Sequence, residues 1–99
     1  MTSSEQDVRA ILEAEEFVNR LAAIEHERWA HWQQYMHDQG EPTEDGSLLI
    51  PAALVARWSE QIATPYADLT DAEQESDREQ VRKYLPAVID QLTRTTRPS

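Results

Sequence analysis

Apolar residues recur along the first third of the chain at helical intervals. Phe17, Leu21, Ile24, Trp29, Trp32 and Met36 follow one another three to five positions apart, with charged and amide side chains between them. No glycine or proline interrupts the chain before residue 40. Ser3 or Ser4 is placed to cap a helix, with Gln6 or Asp7 as the returning partner. The pattern predicts one long helix from about residue 4 to residue 37, bent near Asn19. The run "DQGEPTEDGS" that follows holds both glycines, a proline and a cluster of acids, and reads as a loop. "LLIP" is apolar but too short to assign to helix or strand. Pro51 suits a first helical turn, and Leu54, Val55, Trp58 and Ile62 extend a second helix that ends before Pro65.

Pro65 drives Thr64 into extended backbone. Tyr66 and Leu69 are spaced to pack from a turn onto a helix. Thr70 and Glu73 then match a capping box, a hydroxyl followed three residues on by a carboxylate. Val81, Leu85, Val88 and Leu92 predict a buried stripe on this last helix. Pro86 is expected to kink or divide it, and "TRTTRPS" reads as a fraying tail. The periodicities together predict a compact all-α domain of three to four helices.

Charge narrows the function. The 99 residues hold 19 acids against 9 Lys and Arg, a formal charge of −10. Such a surface repels nucleic acid and anionic membrane. There is no cysteine, which removes disulfides and thiolate ligands. The opening "MTSSEQDVRA" lacks a basic, apolar leader pattern, and no window has the apolar length of a membrane span. A cytoplasmic protein is expected.

Candidate chemistry is sparse. Asp71, Glu73, Glu75 and Asp77 alternate along a helix and so do not converge. "HERWAH" sets His26 and His31 five apart, where a zinc-binding helical pair needs four. His26 is expected instead to hydrogen-bond into the interior. No phosphate-cradling glycine loop or G-x-S-x-G elbow is present. Neither a metal, a cofactor nor an enzymatic activity is expected. The remaining constellation is aromatic and basic. Arg28, Trp32 and Tyr35 occupy neighbouring helical positions; Arg57 and Trp58 are adjacent; Arg78 and Arg82 lie four apart. Aromatics beside arginines can stack a base and grip a phosphate. Trp29 reads as core, whereas Trp32, Tyr35 and Trp58 fit core and site equally.

"HERW" (His26 and Trp29), followed by "PYADLTDAEQESDR", resembles the RyR domain, the repeat named after ryanodine receptors. Pro65, Tyr66, Leu69, Glu73, Asp77 and Arg78 stand at that family's spacing. The resemblance spans about residues 21 to 92. It implies a small, mainly helical domain, in some members with a short β-hairpin, in which His26 and Trp29 pack against Tyr66 and Asp77. Members often carry a turn rich in glycine and aromatics after the tryptophan helix. This chain has "MHDQGEPTEDG" there. The implied organisation is an acidic helical extension over residues 1–16, an RyR-like domain over 17–95 and a tail over 96–99.

Stand-alone RyR-like domains of bacteria and phages are associated with nucleotide-derived signals. The resemblance therefore implies a non-enzymatic binder of a cyclic nucleotide or ADP-ribose-type ligand, a sensor or sequestering protein in bacteria–phage conflict. Trp32, Tyr35, Trp58 and Tyr66 would stack the ligand, and Arg28, Arg57, Arg78 and Arg82 would hold its phosphates. The alternative is a protein–protein interaction module using its acidic helical surface. Long helices with exposed aromatics also favour a homo-oligomer.

Overall fold

The structure is a computed structural model that describes residues 4–96. It is all-α, with four helices and one small antiparallel hairpin. The order is α1 (Glu5–Leu12), α2 (Glu15–Gln39), β1 (Glu41–Pro42), β2 (Leu48–Leu49), α3 (Ala52–Ala63), a 3-10 turn (Tyr66–Asp68) and α4 (Asp71–Thr96). The described residues form two units. One joins the chain up to Arg28 with the chain from Arg78; the other is Trp29–Asp77.

In the first unit, Ser4 caps α1. Its hydroxyl accepts from the Asp7 amide at 3.1 Å, and the Asp7 carboxylate accepts from the Ser4 amide. The single helix expected over 4–37 is instead two, parted at Glu13 and Ala14 rather than bent at Asn19. No glycine or proline causes this. Glu15 and Glu16 supply first-turn acids that favour a fresh N-terminus. The break also frees the Ile11 carbonyl, which accepts the Gln91 side-chain amide at 2.7 Å. Arg20 meets Asp90 at 2.8 Å.

Both buried residues among those described lie in this unit: Phe17 at 4% exposure and Ala87 at 1%. The stripe expected to be buried on α4 is displaced. Val88 and Leu92 are half-buried, but Val81 and Leu85 are exposed. The inward positions are Gln80, Tyr84, Ala87 and Gln91, at intervals of four, three and four. Hydrogen bonds and a small side chain make the close approach there, and the larger aliphatics sit to one side.

Nor does Pro86 divide α4, which is helical on both sides of it. Proline has no amide to offer the Arg82 carbonyl. Burial of Ala87 on the very next residue helps offset that loss. The fraying expected from residue 93 is also absent as far as Thr96, and residues 97–99 lie outside the described range.

In the second unit, the loop "TEDGS" closes the hairpin, with Glu41 opposite Leu49 and Pro42 opposite Leu48. The Gly46 amide donates to the Thr43 carbonyl, and the Thr43 amide to the Ser47 carbonyl. This is a type I turn followed by a left-handed residue. Gly46 has φ of +88°, a conformation that side-chain-bearing residues rarely adopt. Asp45 locks the turn by accepting from the Thr43 hydroxyl at 2.6 Å and the Ser47 amide at 3.0 Å.

These bonds, the Thr43 hydroxyl first, hold the Asp45 carboxyl down at about 2, from an ordinary 3.8. Because the folded value is depressed, this stabilisation is present above pH 3.8 and is lost as pH falls through about 2. Carboxyl-detected NMR titration is expected to place the Asp45 midpoint near the lower value. Thr43→Val is expected to move it upward; an unchanged midpoint would remove the hydroxyl as the main cause.

α3 begins directly after Pro51, as its position suggests. Tyr66 to Asp68 form the 3-10 turn, with Pro65 as its cap at φ −61°. The Thr70 hydroxyl accepts from the Glu73 amide at 3.2 Å, and Glu73 accepts from the Thr70 amide at 3.1 Å, completing the capping box.

Candidate functional site

The second unit contains an aromatic assembly made by three of the expected site residues. Trp32 and Tyr35, three apart on α2, stack at 5.4 Å with planes 28° apart. Trp58 of α3 meets Trp32 edge-on at 5.5 Å and 63°. Offset and edge contacts of this kind join the positive rim of one ring to the negative face of another. They tie α2 to α3. The expected choice between core and site has a mixed outcome here: Trp58 is half-buried, while Trp32 and Tyr35 are exposed.

A hollow of about 390 Å³ opens between α3, the 3-10 turn and the start of α4. Its lining includes Arg57, Glu60, Gln61, Asp68, Thr70 and Glu73. Three carboxylates thus face one guanidinium. Glu73 is engaged: it accepts from the Thr70 hydroxyl at 2.8 Å and from the Gln61 amide at 2.6 Å. The Thr70 hydroxyl chiefly, then the Thr70 amide and Gln61, hold its carboxyl below the usual range, with Arg57 adding a weaker attraction. Arg57 is thereby set beside a carboxylate rather than beside an aromatic face. The Gln74 amide donates to the Tyr66 carbonyl at 2.9 Å and steadies the turn from the α4 side. Leu69, half-buried, closes it.

The other arginines lie in the first unit. Arg28 Nε donates to Glu25 at 3.1 Å, its Nη2 makes a second contact with Glu25, and the Tyr84 hydroxyl also donates to Glu25. Glu25 is held below the carboxylate range by Arg28 first and Tyr84 second, and Tyr84 is raised, chiefly by Glu25. Arg28 is therefore a structural cation at the α2–α4 contact. Arg78 is half-buried on α4 and Arg82 exposed.

His26, expected to reach the interior, is exposed on α2. Trp29, read as core, is 54% exposed. Tyr66 and Asp77 are exposed as well. The common cause is a chain that encloses little: in the second unit no described residue falls in the buried class. The partners of Arg28 and Arg57 were only partly visible in the sequence. Glu25 lies three residues before Arg28, a helical neighbour, but no spacing marks Tyr84, 59 residues further on. Gln61, Glu60 and Asp68 carried no motif.

Among the described residues no three His, Asp or Glu side chains converge on a metal position, and no helix is long and apolar enough to cross a membrane. No family model, curated protein or solved structure matches the chain. The likeness to the RyR domain rests on its motif residues alone.

Proposed function

We propose that this chain is a protein-interaction module, and that the Trp29–Asp77 unit receives a partner bearing basic side chains beside apolar ones. The observation that carries this is the pairing of exposed aliphatics with carboxylates on a unit that buries none of its described residues. Ile62 is 86% exposed and follows, in the chain, Glu60 and Gln61 of the hollow. Leu48, Leu49 and Ile50 are exposed near Glu41, Glu44 and Asp45. An exposed apolar surface rimmed by one sign of charge is the usual form of a docking face. With three carboxylates to one arginine, the hollow suits a lysine or arginine side chain and opposes a phosphate. The acids of α1, Glu5 and Asp7, are exposed and extend the same preference to the first unit.

Binding of a nucleotide-derived ligand is the second reading. The RyR resemblance suggests it, and the exposed faces of Trp32 and Tyr35 favour it. In that reading Arg57, on the same unit, would supply the phosphate contact, since Arg28 is held by Glu25 and Tyr84.

Native mass spectrometry of the protein purified from its own cells separates the two readings. A bound polypeptide, released by raised ionic strength and lost in Ile62→Glu, is the expected result. A small bound mass with no polypeptide, or stabilisation by one compound in a panel of cyclic nucleotides and ADP-ribose derivatives, would overturn it in favour of the ligand reading.

A further inference from the structure

The first unit presents an apolar face of a different kind. Val81, Leu85 and Ile89 follow one another at intervals of four on α4 and are 55%, 47% and 60% exposed. The opposite side of the same helix is already occupied, by Tyr84 on Glu25, Ala87 in the interior and Gln91 on Ile11. A helix with aliphatics on its open side as well as a packed inner side calls for cover on both.

Two properties of the stripe indicate what covers it. One is charge. Between residues 78 and 94 four cations, Arg78, Arg82, Lys83 and Arg94, stand against two carboxylates, Glu79 and Asp90. The segment is thus at +2 and the rest of the chain at −12, since the whole is −10. The acidic remainder opposes a second copy strongly, whereas this segment, at +2, opposes one only weakly. The other is symmetry. Val81 and Ile89 lie four residues to either side of Leu85, so the stripe matches itself when one copy is turned end for end. A two-fold pairing demands such self-complementarity.

We propose that a second copy of this chain covers the stripe, with the two α4 helices antiparallel about Leu85. Val81 then meets Ile89 of the second copy, and Leu85 meets its own equivalent. The antiparallel sense also opposes the helix dipoles favourably and separates like cations that a parallel pairing would set side by side. The aliphatic stem of Arg82, beside the stripe, extends the apolar contact while its charge stays in water. This face is distinct from the partner surface proposed on the Trp29–Asp77 unit, so either inference can fail without the other.

Sedimentation equilibrium across a concentration series tests it. The wild-type chain is expected to sediment at twice its 11.4 kDa mass. Leu85→Glu, at an exposed position, is expected to keep its far-UV circular dichroism and to weaken the dimer at least about 100-fold, because it sets two carboxylates against each other in an apolar contact. A wild-type chain that stays monomeric throughout, or a Leu85→Glu chain that dimerises as well as wild type, overturns the proposal.

The absence of native cysteine makes orientation testable in the full chain. Leu85→Cys is expected to cross-link to itself on mild oxidation. Val81→Cys is expected to cross-link only when mixed with Ile89→Cys. Efficient self-linking of Val81→Cys would instead establish a parallel pairing and overturn the antiparallel one.

Discussion

Phe17→Ala is expected to cost about 3 kcal/mol, the lower end for removing a buried aromatic side chain. Phe17 is the one large side chain among the described residues to reach the buried class; Ala87, the other buried residue, is small. The loss is also large against the total, because small domains are stable by roughly 5–15 kcal/mol. Urea unfolding followed by far-UV circular dichroism should show an earlier midpoint. A midpoint unmoved within error would mean that Phe17 is not the centre of its unit. Phe17→Leu, which keeps most of the apolar volume, should recover much of the stability, which distinguishes lost packing from a fault in helix formation.

Trp32→Ala is the second large effect, expected at about 2 kcal/mol. Trp32 is part exposed, so its removal costs less than that of a buried aromatic, but it contacts both Tyr35 and Trp58, each contact being worth about 0.5–1.5 kcal/mol. Near-UV circular dichroism should lose the coupled tryptophan signal, and Trp58 emission should shift to the red. A double-mutant cycle of Trp32→Ala with Trp58→Ala isolates the pair. Additive losses would mean that the edge contact contributes nothing.

Local rules made much of the fold readable. The Ser4–Asp7 and Thr70–Glu73 capping boxes, the start of α3 after Pro51 and the turn from Pro65 to Leu69 each depend on residues three or four apart, and each forms where spacing put it. The hairpin also follows from local chemistry: Asp45 and Gly46 define its turn, though the surrounding polar run reads first as loop. What sequence did not show was set by tertiary preference. The break between α1 and α2 contains no breaker residue and is stabilised by Gln91, 80 positions away from Ile11. Periodicity located an apolar stripe on α4 but not whether that stripe faces inward. The inward place went to Tyr84, Ala87 and Gln91, whose hydrogen bonds and small volume permit close approach.

The candidate site divides the same way. Residue type and helical position singled out Trp32, Tyr35 and Trp58, but that Trp58 meets Trp32 across two helices was not readable. That Arg28 and Arg57 sit by carboxylates was not, because in a chain with twice as many acids as bases almost any arginine has several partners within reach.

Pro86 sets an order of events for α4. Helix growth from the cap at Thr70 reaches a residue that cannot close the next hydrogen bond, so the turns beyond start at a disadvantage. They gain their compensation from the burial of Ala87, which exists only once the first unit has assembled.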